Sequence, residues 1–305
     1  MAFRLQFEFE ASCTSLDPCD LPFRFRGRDF RLLAGDVTKQ DCLVSLVDPG
    51  TEVEINNARR DAMIFCACLS WDFLALVNPT FAGGLGISHI SSIHDEVMRR
   101  DINRSDRKWP PTRPYLGLPS LPSLETAFQE TSLGLFREGL ASRSPFYRFL
   151  CYWNILNIPP RPDHDVAQWI KGLPNRVPTP FTTEKMGTIQ QLQQSYGSLS
   201  HYLDEECRDA VAHVIRNNPA RTSIDPNSFV DGVRIAEASD ILFDVIHIYL
   251  KEELGLVEKS HPFQLPGASH PEYMTEAVYR VRKQAARRTT FAESDSGNPG
   301  TAIDF

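Results

Sequence analysis

FYRFLCYWNILNI, at residues 146–158, is the stretch that decides the fold of the second half of the chain. Drawn as a helix, it carries apolar side chains on nearly every side, and a helix of this kind is buried rather than exposed. Apolar residues at helical spacing recur in further segments, at residues 124–140, 163–172, from 183, 198–218 and 228–254. We therefore predict a helical bundle with residues 146–158 at its centre.

The start of the chain has a different pattern. In LQFEFEAS (5–12), LPFRFRGRDFRLLAG (21–35) and CLVSLVDPG (42–50), apolar and polar residues roughly alternate between Gly, Pro and Asp. Alternation with a period of two is typical of strands that are buried on one face. The sequence predicts a small mixed or antiparallel sheet, with a helix over residues 57–76 packed on it. Cys66 and Cys68 lie within that helix and are predicted to be core residues.

A proline-rich stretch separates these two patterns. Proline blocks both a continuous helix and a central strand, so residues 102–122 are predicted to be a linker. The predicted fold class is α+β, in which an N-terminal α+β domain at residues 1–101 precedes a helical bundle at 123–288. The bundle includes a last helix at 271–288 with five cations at its end, and residues 289–305 are predicted to be a disordered tail.

Composition excludes several classes of function. The 305 residues carry a net charge of −7, which argues against a broad cationic surface that coats nucleic acid without specificity. No stretch reaches the roughly 18–20 apolar residues that a membrane span needs. The start, MAFRLQFEFEAS, lacks the continuous apolar core of a signal peptide. We expect a cytoplasmic protein that does not contact membranes.

The number and spacing of the cysteines and histidines argue against disulfides and metal sites. Seven cysteines is an odd number, and no CxxC pair is present, which fits a reducing compartment. The eight histidines are scattered and form no HxH or HExxH cluster. We expect no metal and no cofactor. The glycine-rich run at residues 83–86 lacks the Lys and Ser/Thr of a phosphate-binding loop and is predicted to be a turn.

The segment HYLDEECRDAVAHVIRNN, at residues 201–218, carries the candidate chemistry. At about 100° per residue of an ideal helix, its apolar residues form one stripe that faces the core. Arg208 and His213 fall on the opposite side, with Asp209 and Arg216 between them. Ala212 is small, so another surface could approach closely. The predicted stripe consists of Leu203, Cys207, Ala210, Val211, Val214 and Ile215.

These residue types suit RNA cleavage without a metal, because the ribose 2′-hydroxyl is itself the nucleophile. A histidine with a pKa near ~6.5 can move protons, and the planar guanidinium of an arginine matches phosphate oxygens. His213 and Arg208 are the candidates, Asp209 could orient one of them, and Arg216 is a candidate for binding the substrate. The alternative is structural: Arg208 pairs with Asp204 one turn away, and His213 is a plain surface or interface residue.

The motif RDAVAH at 208–213, the helix FYRFLCYWNILN at 146–157 and the segment at 230–255 together resemble the HEPN superfamily of helical domains. A β-containing part before such a domain is most similar to the MauJ-type methylamine-utilisation family. The resemblance implies a helical bundle that dimerises, with a metal-independent endoribonuclease site at the interface. It implies that His213 transfers protons, Arg208 stabilises the scissile phosphate and Asp209 supports both.

Many HEPN-like domains are inactive binding or assembly modules, so two functions stay open. The first is an endoribonuclease acting on single-stranded or looped RNA as a homodimer, with a regulatory protein partner as a further expectation. The second is a non-catalytic module for dimerisation or partner binding. A third hypothesis, a small-molecule enzyme in the N-terminal domain, has no set of residues that would carry it.

Overall fold

The computed structural model describes residues 2–11, 20–33, 41–48, 50–73, 77–87, 121–159, 164–212, 224–225, 227–256 and 258–260. Within these ranges the chain divides into two compact units. One consists of the described residues up to 123 together with 258–260, and the other consists of those from 124 to 256. The first contains a β-sheet and the second is helical, which confirms the predicted α+β class.

The first unit is built on a five-stranded antiparallel sheet, with the strand order β2-β3-β4-β1-β5. Its alternating segments form strands as predicted. A two-residue turn, Arg26 and Gly27, joins β2 to β3, and both residues have positive φ angles of 52° and 79°. Such a turn matches the twist of the paired strands. The strands are β1 Ala2–Ala11, β2 Asp20–Phe25, β3 Arg28–Leu33, β4 Asp41–Val47 and β5 Val77–Ile87.

Helix α1, Glu52–Phe73, packs on this sheet. Its Phe65 ring stacks on Phe23 of β2, with ring centroids 4.7 Å apart. Cys66 and Cys68 are fully buried, so the prediction that they are core residues is confirmed. The helix begins five residues before the predicted start at residue 57. Those first residues, EVEIN at 52–56, include no buried side chain, so burial on the sheet gives them no apolar periodicity.

The glycine-rich run at 83–86 is not a turn, and that prediction was wrong. These residues lie within β5, which pairs along its length with β1, and Leu5 lies opposite Gly84. Glycine has no side chain and gives no period-two signal, so the pairing comes from the neighbouring strand. A bulge at Glu8 and Phe9 shifts the register where Pro79, which cannot donate a hydrogen bond, enters the strand.

A short two-stranded sheet pairs β6, Leu121–Pro122, with β7, Glu258–Ser260. Residues 121 and 122 are the only part of the predicted linker, 102–122, that lies within the described ranges. The predicted helix at 271–288 and the predicted tail at 289–305 lie outside them. Among the helices that the structure describes, none is long and apolar enough to cross a membrane.

The second unit is a bundle with α3 at its centre. Helix α3 contacts both α2 and α8, and its Phe149, Ile155 and Leu156 have no exposed surface, as predicted for residues 146–158. The described elements are α2 Ala127–Ala141, α3 Pro145–Leu156, α4 Val166–Gly172, a 3₁₀ turn Leu173–Asn175, α5 Thr183–Tyr196, α6 Leu199–His201, a π-helix Tyr202–Arg208, α7 Asp209–Ala212 and α8 Phe229–Glu252.

Side-chain caps set where these helices begin. The hydroxyl of Thr126 accepts a hydrogen bond from the Gln129 backbone, and the Gln129 side chain accepts from the Thr126 backbone in return. This reciprocal capping box satisfies two amides that the helix leaves free. Five further helices have only the first of these two bonds, in which the capping side chain accepts from the backbone amide three residues later. The helices are α3, α4, α5, α6 and α8, and their caps are Ser144, Asp165, Thr182, Ser198 and Ser228.

Two polar contacts link α3 to α8. The hydroxyl of Ser239 donates to the Ile235 carbonyl of its own helix at 2.7 Å, and the Pro145 carbonyl at the start of α3 lies 3.3 Å from the same oxygen. Beyond the end of α3, the hydroxyl of Tyr249 donates to the Ile158 carbonyl at 2.6 Å. After α8, Gly255 has a φ of 64°, a conformation that favours glycine, and it directly follows the segment 228–254 that was predicted to be helical. These contacts hold the helix that forms one wall of the candidate site.

Candidate functional site

Residues 199–212 form a helix that changes from α to π geometry and back. The predicted α-helix over 198–218 is therefore wrong in its middle, where Tyr202–Arg208 is a π-helix. The Asp209 amide, for example, donates to the Asp204 carbonyl five residues earlier. A π-helix has a wider turn, so the angles worked out at ~100° per residue do not hold here. Such segments often occur at functional sites.

One face of this helix belongs to the core. Leu203, Cys207 and Ala210 are buried, which confirms that part of the predicted apolar stripe. Tyr202 is buried beside Cys207. Burial is the main cause that raises the pKa of its hydroxyl, and the nearby Cys207 thiol raises it further. Tyr202 is therefore neutral near neutral pH. This anchored face leaves Asp204 and Arg208 on the partly exposed side.

The guanidinium of Arg208 is held between two carboxylates. Its Nε and Nη2 donate to Asp204 Oδ1 at 2.9 and 2.6 Å, and its Nη1 lies 2.6 Å from Asp209 Oδ1. Its Cζ lies 6.0 Å from the centroid of the buried Trp153 ring. Each of the three charged side chains is about one-third exposed, at 35%, 33% and 29%. The i,i+4 pair of the structural alternative is thus present.

Pairing does not use every donor of Arg208. A guanidinium has five N–H groups, and each terminal nitrogen carries two of them. The contacts with Asp204 and Asp209 use Nε and one N–H on each terminal nitrogen. Nη1 and Nη2 each carry a further N–H, which can donate to another acceptor such as a phosphate oxygen.

Arg208 and Asp204 line a groove of about 470 Å³. One wall is the end of α3, a second is the start of α4, and the third is the π-helix. Two acidic side chains and one permanently cationic side chain face it, so the groove has an acidic balance. Its lining consists of Trp153, Asn157, His164, Asp165, Val166, Ala167, Asp204 and Arg208.

His164 is a groove residue that the sequence motif did not single out. Its ring packs against Tyr249 and Trp169, with centroid distances of 5.3 and 6.4 Å. Its Nε2 is buried and has no hydrogen-bond partner among the described residues. No spacing rule could have found it, because 44 residues separate it from Arg208. The local sequence shows only that His164 directly precedes Asp165, the residue that caps α4.

Of the four predicted site residues, the structure places Arg208 and Asp209, and it brings them together as an ion pair. His213 and Arg216 lie outside the described residues. Within the described part of the chain, no group of three or more His, Cys, Asp or Glu side chains is arranged to hold a metal ion.

The geometry defines the class of protein: an α+β protein in which a helical unit carries a groove around a fixed arginine. Residues 132–251 of this unit match the model of the family described as methylamine utilization protein MauJ. The match includes every residue of the groove and confirms the MauJ-type resemblance over that part of the chain. The curated proteins and the solved structures gave no match. The resemblance to the HEPN superfamily stays a prediction.

Proposed function

We propose that the protein is a metal-independent endoribonuclease of HEPN type, acting as a homodimer. In this proposal Arg208 stabilises the scissile phosphate, His213 transfers a proton and Asp209 orients Arg208. Arg216 contributes a further contact to the substrate. RNA is the substrate class because the reaction needs a 2′-hydroxyl next to the phosphate.

The observation that carries the proposal is the restricted orientation of the Arg208 side chain beside the groove. Its guanidinium faces an open groove, and Asp204, Asp209 and the ring of Trp153 restrict its orientation. Two N–H groups remain for a ligand. Electrostatic stabilisation is most effective when the charge is already oriented before the substrate binds. An arginine held on three sides next to a groove meets that requirement.

The reaction needs two proton transfers and no external co-reactant. The 2′-oxygen attacks phosphorus and gives up its proton, while the bond from phosphorus to the 5′-oxygen breaks and that oxygen gains a proton. The products carry a 2′,3′-cyclic phosphate and a 5′-hydroxyl. Arg208 would neutralise the charge that develops on the non-bridging oxygens. One histidine side chain, which gains or loses a proton near neutral pH, can make one of the two proton transfers.

The test is cleavage of a labelled mixed RNA pool in excess EDTA by the purified wild type and by single variants. We expect Arg208→Ala and His213→Ala to lose cleavage while remaining folded. Arg208→Lys keeps the charge but loses the planar fork, and should recover only part of the activity. His201→Ala is the matched control, because His201 pairs with Glu205 and does not line the groove.

Cleavage by the wild type and the control alone, leaving 2′,3′-cyclic ends, would support the proposal. Equal cleavage by every variant would indicate a contaminating ribonuclease and would contradict it. Sedimentation of each variant is measured in the same preparation, because the proposed site requires a dimer. Loss of activity together with loss of the dimer in Arg208→Ala would point to an interface role for Arg208 instead.

A second candidate is a non-catalytic interaction module. It is favoured by the two carboxylates on Arg208 and by the acidic balance of the groove, since both oppose the approach of phosphate. The description of the matching family supports an accessory protein in methylamine utilisation. This candidate predicts a dimer or a protein complex and no cleavage by the wild type on any RNA class.

A further inference from the structure

We propose that the start of α8 carries a docking surface for another segment of the same chain, the basic stretch at residues 271–288. The docking surface consists of Phe229, Val230 and Val233. Residues 271–288 are the last helix that the sequence predicts. The contact goes beyond the proposed function and does not depend on it.

The docking surface is apolar and open. Phe229, Val230 and Val233 are 84%, 74% and 42% exposed. Phe229 and Val233 lie on the side of α8 opposite to the buried Ala238, so the core of the bundle does not cover them. A Cβ added at Gly232 would meet no atom within 4 Å, which leaves room for a partner side chain. Apolar side chains exposed together on one face are typical of a surface that another segment covers.

The charges near the docking surface are mainly acidic. Residues 224–240 contain four acidic residues and one arginine, a net charge of −3. The arginine, Arg234, is paired with Asp231 at 3.4 Å, whereas Glu237 is exposed about two turns beyond Val230 on the same face. A second copy of this surface, RNA and an anionic membrane would all be repelled. The partner that fits is a helix with an apolar stripe and flanking cations.

Residues 271–288 have this pattern in their sequence. They contain five cations and two acidic residues, a net charge of +3 that is opposite to that of residues 224–240. At about 100° per residue of a helix, their apolar residues form one stripe, and Arg280 and Arg282 fall on either side of it. Apolar faces and opposite charges together favour docking. The stripe consists of Met274, Ala277, Val278, Val281 and Ala285.

The chain is long enough to bring this segment to the docking surface. Ser260, the last residue of β7, follows the end of α8 by only a few residues. Residues 261–270 span up to about 33 Å when extended, and a helix over 271–288 is about 27 Å long. Helix α8 is about 35 Å long, which is less than these two lengths together. The segment can therefore reach the start of α8 within one chain.

The experiment is limited digestion of the full chain with trypsin, in which mass spectrometry follows cleavage after the cations of the segment. A synthetic peptide of the segment, digested in parallel, gives the rate without docking. The variants are Phe229→Ser with Val233→Ser on α8, and Met274→Ser with Val278→Ser on the segment. The second pair leaves the bundle itself unaltered if urea unfolding shows that the first pair destabilises it. Val177→Ser is the control, because Val177 is 96% exposed in the same unit and does not lie on α8.

We expect cleavage in the wild type and the control to be slower than in the peptide by about tenfold or more, since burial of one apolar side chain already shifts a docking equilibrium by that factor. Both double variants should approach the rate of the peptide, and about 1 M salt should move the wild type towards it. Cleavage of the wild type at the rate of the peptide would overturn the proposal, as would unchanged protection in a folded α8 variant. Protection that disappears on dilution would show that a second copy supplies the segment, and would overturn docking within one chain.

Discussion

Gly139 is the position where one methyl group should damage the bundle most. It lies on α2, and a Cβ added there would be 2.2 Å from Cε1 and 2.7 Å from Cδ1 of Tyr152 on α3. Ordinary van der Waals contact begins at 3.4 Å, so the helices must move apart or the ring must turn. The ring cannot turn freely, because it is 2% exposed and packs against Phe136 and Phe243.

The size of the effect follows from two opposing contributions. Overpacking of a well-filled core destabilises by about 1–3 kcal/mol. Replacement of a helical glycine by alanine contributes about 1 kcal/mol in the other direction. Because the overlap involves two ring atoms of a buried tyrosine, we expect a net loss of about 2 kcal/mol for Gly139→Ala. Gly134→Ala on the same helix meets no atom within 4 Å and should gain up to about 1 kcal/mol.

The assay is equilibrium unfolding in urea of the wild type and both alanine variants. The double variant Gly139→Ala with Tyr152→Leu removes the clash, so its loss should be smaller than the sum of the single losses. Equal stability of Gly139→Ala and Gly134→Ala would refute the close approach of α2 and α3. Additive losses in the double variant would refute the attribution to Tyr152. Since α3 carries Trp153 and Asn157, Gly139→Ala should also perturb the groove.

Three further changes test other contacts. Tyr249→Phe removes the donor to the half-buried Ile158 carbonyl and should cost about 0.5–1.5 kcal/mol in urea unfolding; no loss would contradict that hydrogen bond. Burial raises the pKa of Asp61 above its ordinary 3.8, so the folded state binds its proton more tightly than the unfolded state. The wild type should therefore lose stability relative to Asp61→Asn as the pH rises from 3.8 through the folded pKa, and a difference that moves the other way would contradict the burial argument. Asp204→Asn removes a negative charge beside Arg208, so RNA binding should strengthen by about 1 kcal/mol, or roughly fivefold, at low salt and by less in 1 M salt; a salt-independent change would contradict an electrostatic cause.

The periodic parts of the fold could be predicted from the sequence. Alternation identified β1 to β4, and helical spacing identified α1, α2, α3, α4, α5 and α8 within a few residues. Strand β5 was missed because glycine gives no alternating signal, and its place depends on pairing with β1. A segment that is buried on one face shows this in its own spacing of apolar residues. The pairing of a strand depends on a second segment, which the spacing within the first does not identify.

The groove was harder to predict than the elements that form it. Arg208 and its pairing with Asp204 follow from i,i+4 spacing, and that pair was one of the two alternatives in the sequence. The π-helix was not predictable, because the apolar spacing was interpreted at a uniform ~100° per residue, which gives no signal for a wider turn within the helix. Trp153 and His164 come from other elements, and only tertiary packing brings them to Arg208.

The ion pairs of Arg208 are better explained by orientation than by stability. A pair between side chains that are about one-third exposed contributes only about 0–1 kcal/mol. Two carboxylates on one guanidinium leave a net negative charge. Asp204 and Arg208 lie on a π-helix, a rare geometry, and Asp209 directly follows it. What the arrangement does achieve is a guanidinium held by two carboxylates, with its Cζ 6.0 Å from the centroid of the Trp153 ring, on a side chain that lines the groove. A site for developing negative charge needs that fixed geometry, because a displacement of about 1 Å can reduce a rate about a hundredfold. If orientation is the role, Arg208→Ala leaves the free energy of unfolding nearly unchanged and removes the function of the groove, whichever ligand the groove binds.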